Sequence, residues 1–147
     1  MMEQKILKNE NIVLNQKSEK KEDAIDRVGK MLLNSGYVTP KYIEGMRKRE
    51  EESTTYIGNG IAIPHGVNAY KNEILETGLT IVQYPDGVEF GKGRTAYIVI
   101  GIAGKGDEHL SLLSQIALAV QDKENTEHLR YAQTPQEILT IIEEGGK

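Results

Sequence analysis

With 147 residues, 38% of them apolar and 27% charged, the chain can bury one core and is too apolar to be disordered. It has no cysteine, which excludes disulfides, thiolate nucleophiles and thiolate metal sites. The formal charge of −4 is mixed in sign along the chain and argues against nucleic-acid binding.

Residues 1–8 carry lysines but no apolar run suited to a signal segment, and nothing later approaches the roughly 20 apolar residues of a membrane span. A cytoplasmic protein of one domain, residues 1–147, is expected. Residues 11–14 read as a first short strand. A helix is expected from Ser18, with Ala24, Ile25, Val28, Met31 and Leu32 at helical spacing and Gly36 as its stop. Thr39-Pro40 is a cap followed by proline at the first helical position. It opens a second helix that carries Tyr42, Ile43 and Met46 and ends near residues 49–52. Next comes Ile57-Gly58-Asn59-Gly60-Ile61-Ala62-Ile63-Pro64-His65-Gly66. Ile61-Ala62-Ile63 predicts a buried strand, and Pro64, with no N–H for a ladder, ends it. His65 is then expected to stand exposed at the strand's edge, beside a glycine that does not crowd it.

Residues 78–84 predict a strand, Pro85-Asp86-Gly87 a turn, and residues 88–90 a hairpin arm. Residues 95–102 form the longest apolar run and predict a central strand buried on both faces. Gly104-Lys105-Gly106 breaks it, and Asp107 or its neighbour can cap a helix through Leu110, Leu113, Ile116, Ala117 and Val120. Thr134-Pro135-Gln136-Glu137 is a capping box with proline at the first helical position. The final helix uses Ile138, Leu139, Ile141 and Ile142 and stops at Gly145-Gly146. Strands interleaved with helices predict an α/β fold: a three-layer α/β/α sandwich around a mixed, mostly five-stranded sheet, with an antiparallel pair at the Pro85 turn.

Neutral imidazole is a competent nucleophile near neutral pH and can take an acyl or phosphoryl group. Gly58, Gly60 and Gly66 leave backbone N–H groups open to an anion. Taken alone, the pattern around His65 describes a turn with a surface histidine before it describes a nucleophile. His109 follows the longest strand in a glycine-rich turn that opens a helix, where anions collect in α/β folds. If the two strands are neighbours, His65 and His109 share one pocket; otherwise His109 is a capping or surface residue. Arg49 is the candidate phosphate fork, or else a cation placed favourably at a helix C-terminus. His128 lies in a polar segment and reads as surface. A metal set of His65, His109 and Asp107 or Glu108 lacks the paired spacing of a zinc helix. No phosphate-binding P-loop, serine elbow or dinucleotide fingerprint occurs, so no cofactor and no metal is expected.

The signature ending in Ile61-Ala62-Ile63-Pro64-His65-Gly66, with an acidic or amide residue upstream (here Glu50), resembles the phosphorylation site of the fructose–mannitol class of enzyme IIA. These are phosphocarriers of the bacterial phosphoenolpyruvate-dependent sugar phosphotransferase system. Gly36-Tyr37-Val38-Thr39-Pro40, residues 46–50, residues 83–88 and Ile100-Gly101-Ile102-Ala103 running into Glu108-His109-Leu110 resemble the mannitol-specific branch. The likeness spans residues 11–142. It implies that His65 accepts a phosphoryl group from phosphohistidine on the carrier HPr and passes it to a cysteine of enzyme IIB of a mannitol transporter. It also implies that His109 supports the group and that Arg49 neutralises it; because the chain ends soon after its last helix, a free-standing subunit is expected. Asn59 departs from relatives with an acidic side chain there, and residues 90–95 look shorter than in some members. A regulatory paralogue similar to the nitrogen-related enzyme IIA, a fructose-type carrier and a metal-dependent hydrolase are the competing readings.

Overall fold

The computed structural model describes residues 6–145. Gly146, half of the expected final stop, and residues 1–5 of the lysine-bearing start lie outside the described residues. The chain runs through β1 (Ile12–Val13), α1 (Lys21–Asn34), α2 (Lys41–Glu52), β2 (Tyr56–Gly58) and β3 (Ile61–Ala62). It continues with β4 (Gly78–Gly91), β5 (Arg94–Ala103), α3 (Glu108–Val120), α4 (Lys123–Tyr131) and α5 (Pro135–Gly145). The strands make one sheet in the order β1-β4-β5-β3-β2. β1 is parallel to β4 and β3 to β5, while β4 with β5 and β2 with β3 are antiparallel, so the sheet is mixed as expected.

Alternation along β4 divides the core between the two faces of the sheet. Leu79 and Ile81 join Ile98, Ile100 and Ile102 of β5 against Leu112, Ile116, Leu129, Ile138 and Ile142 of the last three helices. Val82, Tyr84, Val88 and Phe90 pack with Ile25, Val28, Leu32, Tyr42 and Met46 of α1 and α2. Buried polar residues of β4 follow the same parity. The Thr80 hydroxyl donates to the Val28 carbonyl of α1, and the Gln83 amide donates to the carbonyls of Leu129 and Ala132, all at 2.9 Å. Helices on both faces of the sheet make the expected three layers.

Several local expectations are corrected. Pro85-Asp86-Gly87 does not reverse the chain; it is a bulge inside the continuous β4. Gln83 pairs with Ile98 and Val88 with Ala96, so residues 84–87 face Tyr97 alone. Proline fits there because no ladder bond is asked of its nitrogen, and Gly87 supplies the φ of 84° that the bulge requires. The reversal comes later, across Lys92-Gly93, between the paired Gly91 and Arg94. Ser18 does not start α1, because its hydroxyl donates to the Gly87 carbonyl at 2.6 Å. Thr39 does not cap α2; its hydroxyl donates to the Glu73 carboxylate at 2.5 Å. The buried stripe of α3 is Leu112, Ile116, Ala119 and Val120, which leaves Leu110 70% exposed. α4 was not expected: it is short and polar, and Asp122 caps it by accepting the Glu124 N–H at 2.9 Å. The capping box of α5 forms in both directions, Thr134 Oγ1 accepting the Glu137 N–H at 3.2 Å and Glu137 Oε2 the Thr134 N–H at 3.3 Å. No described helix is long and apolar enough to cross a membrane.

Candidate functional site

Because β3 and β5 lie side by side and parallel, the chain leaves both at the same edge of the sheet. The Ile102 N–H donates to the Pro64 carbonyl at 3.0 Å, and His65 forms a bridge to Ile102, extending the pairing one step past β3. β5 ends at Ala103, and His109 follows in the first turn of α3. The neighbouring strands therefore bring the two imidazoles together, with centroids 5.2 Å apart and planes at 59°.

Tyr42, reaching in from α2, fastens the corner. Its hydroxyl donates to the Ile102 carbonyl and accepts the Gly66 N–H, both at 2.8 Å. Burial pushes its pKa up to about 12, so it stays a phenol. A Cβ on residue 66 would stand 2.6 Å from a Tyr42 ring carbon, which is why glycine follows His65. Beside them a cleft of about 260 Å³ opens, lined by Tyr42, Gly66, Lys71, Gly104, Gly106 and His109 among others.

The expected exposure of His65 is corrected: only 9% of the residue is accessible. Its backbone is paired into the sheet, and its ring lies against His109. Nδ1 stands 2.7 Å from the Ile63 carbonyl. A carbonyl can only accept, so Nδ1 carries the proton and Nε2 keeps its lone pair. Nε2 has no hydrogen bond among the described residues, and it is not one of the fully buried polar atoms left without a partner. One edge of a largely covered ring is thus open. Burial lowers the His65 pKa below its usual value; the Ile63 bond and the Glu50 charge oppose this, while His109 and Arg49 reinforce it. Burial alone lowers that of His109. Both shifts favour the neutral rings.

Of the basic cluster, Arg47 is forked onto Asp26 at 2.7 and 2.8 Å, and Lys48 lies 5.2 Å from the Tyr70 ring centroid. Arg49 donates to the Ser53 carbonyl at 2.7 Å and its hydroxyl at 3.1 Å. It is the cation at the helix C-terminus, and its field still reaches His65. Glu108 is turned aside by the Thr77 hydroxyl, which donates to it at 2.6 Å. Among the described residues no cluster of three His, Asp or Glu side chains could hold a metal. His128 is exposed on α4 and does not line the cleft beside His109. The arrangement presents a neutral imidazole with one free nitrogen, a second imidazole against it and a guanidinium within electrostatic range.

The family model described as "Phosphoenolpyruvate-dependent sugar phosphotransferase system, EIIA 2" matches residues 5–145. The chain belongs to this family. It is therefore a phosphotransferase-system component, a phosphoryl carrier. The EIIA 2 chain is 48% identical over 139 residues to the mannitol-specific phosphotransferase enzyme IIA component of Bacillus subtilis, covering 95% of this chain and 97% of that one. It is similar to the crystal structure of IIA mannitol from Escherichia coli, with TM-score 0.85, 38% identity, and 90% and 96% of the two chains covered. A chain of the Escherichia coli complex of enzyme IIAMTL with phosphorylated enzyme IIBMTL matches with TM-score 0.86 and 35% identity, covering 95% and 99%.

Within that EIIA 2 frame, two residues of the signature gain a physical account. Asn59, at φ 51°, donates its amide to the carbonyls of Val120 at 2.9 Å and Gln121 at 3.4 Å, where α3 ends. An acidic side chain could not make those bonds. Glu50, noticed in the sequence only as the signature's upstream residue, accepts from Thr55 at the foot of β2. In the sequence Tyr42 is only a core position of its helix. A lone tyrosine at helical spacing says nothing of two backbone partners far away in the chain.

Proposed function

We propose that this chain accepts a phosphoryl group from phospho-HPr on Nε2 of His65 and passes it to a cysteine of enzyme IIB during mannitol uptake at the cytoplasmic face of a transporter. The observation that carries this reading is the 2.7 Å contact of Nδ1 with the Ile63 carbonyl, which leaves Nε2 as the nucleophilic nitrogen of a neutral ring. When Nε2 attacks, its lone pair forms the new N–P bond, and the old P–N bond breaks with its electrons returning to the HPr ring, which is protonated at its other nitrogen and so leaves as a neutral imidazole. The proton stays on Nδ1, so the ring becomes cationic and the Ile63 carbonyl holds it more tightly. Attack by the enzyme IIB thiolate reverses this and restores the neutral ring. No general base is needed, which is consistent with Asn59 standing where some relatives are acidic. His109 and Arg49 supply charge and hydrogen bonding to the transferred oxygens, because phosphoryl transfer depends on alignment and electrostatics.

Mannitol as the sugar is supported by the 48% identity to a mannitol-specific component and by the fit to the chain seen with phosphorylated enzyme IIBMTL. The test is labelling by radioactive phospho-HPr, followed by a panel of enzyme IIB partners of known sugar class. Wild type takes the label and delivers it to the mannitol-class partner, while His65→Ala takes none. Equal labelling of His65→Ala removes His65 from the mechanism. Delivery only to a fructose-class partner reassigns the sugar.

A further inference from the structure

Glu50, in the last turn of α2, has a side chain only 5% exposed. Its Oε1 accepts two hydrogen bonds from Thr55, the N–H at 2.9 Å and the hydroxyl at 2.6 Å. Thr55 gives its carbonyl to the Ile63 N–H at 3.0 Å. Ile63 gives its carbonyl to Nδ1 of His65 at 2.7 Å. The four residues form an unbroken series from α2, across the root of β2 and past β3, to the imidazole. The other carboxyl oxygen, Oε2, is buried with no hydrogen bond, and Lys21 Nζ stands 3.7 Å from it, too far to donate one. An amide would keep the oxygen on Thr55 but turn a buried NH2 with no acceptor toward the Lys21 ammonium, so the position is built for a carboxylate, ion-paired at one oxygen and hydrogen-bonded at the other.

We propose that Glu50 is a positioning residue for phosphoryl transfer at His65. Through Thr55 and Ile63 its Oε1 fixes the carbonyl that holds Nδ1–H, and its charge offsets the cation formed when Nε2 takes the phosphoryl group. The inference rests on His65 being the acceptor. The charged or titratable groups acting on the ring are His109 from α3 and Arg49 and Glu50 from α2, with Lys21 of α1 facing Glu50. Glu50 is the anion of this set.

Two conservative variants separate anchor from charge. Glu50→Gln keeps the oxygen and its reach; Glu50→Asp keeps the charge and withdraws the oxygen by one methylene. Long-range proton–nitrogen NMR of the full chain reads the His65 tautomer and its titration, and phospho-HPr reads the rate of uptake. Glu50→Gln retains the Nδ1–H tautomer, lowers the His65 pKa by roughly half a unit and slows uptake about threefold, the same effect expressed as a rate. Glu50→Asp keeps the pKa and admits the Nε2–H tautomer as a second population. Should Glu50→Asp fail to fold, Thr55→Val breaks the hydroxyl bond alone, and the same tautomer mixing is expected. Wild-type tautomer, titration and uptake in the folded variants would overturn the proposal. The NMR readouts need no phosphoryl donor, so a wild type that takes no label sinks the carrier reading separately from this one.

Discussion

At His65 the decisive quantity is which nitrogen holds the proton. The Ile63 carbonyl sets the neutral tautomer, and burial disfavours the protonated ring. The same burial lowers the pKa of His109, so before transfer two neutral rings face each other. A phosphoryl group on Nε2, as proposed, would change that balance, because a dianion beside a second imidazole favours its cation. Phosphorylation is therefore expected to raise the His109 pKa, as read by NMR titration of the two forms. An unchanged titration would mean that His109 does not touch the transferred group. In the sequence the glycines and Pro64 make His65 a candidate, and the family resemblance singles it out. Its burial was not legible there, because the covering groups come from α2 and α3, far away in the chain.

Elements were legible where the pattern is long and repeated. The paired faces of β5, the apolar stripe of α1 and the capping box of α5 all follow from spacing. Signals shared by two structures failed. Proline, aspartate and glycine in a row describe a turn and a bulge alike, and only the register of β4 on β5 tells them apart. α4 has two buried residues in nine, Thr126 and Leu129, too few for a periodic stripe. Asn59 joins two elements: sitting between β2 and β3, it supplies the donor that α3 lacks at its end. Replacing it by aspartate removes that donor and sets a negative charge against the C-terminal carbonyls. Asn59→Asp is expected to cost about 1 kcal/mol in urea unfolding. Unchanged stability would show that the bond to Val120 contributes nothing.

Taken whole, the molecule uses the sheet to carry two chain exits to one edge, and α2 and α3 close around them. That enclosure has a consequence for stability. The folded His65 and His109 both have pKa values below the roughly 6.5 of an unfolded histidine, so the unfolded chain binds protons first as the pH drops. Stability contributed by the neutral rings is fully present above about pH 6.5 and is lost as the pH falls through the folded values. Urea midpoints should drop between pH 7.5 and 5.5, and less so in a His65→Gln, His109→Gln double variant; equal slopes would refute the linkage. Glu19, whose pKa is held down chiefly by its bond from Arg27, acts in a separate, more acidic window, below its ordinary carboxylate value. The most direct test of the account is a phosphorus-edited, long-range proton–nitrogen NMR spectrum of the phosphorylated, 15N-labelled chain. It is predicted to show phosphorus coupled to Nε2 of His65, with a proton on Nδ1. Phosphorus on Nδ1, or on any other residue, would contradict it.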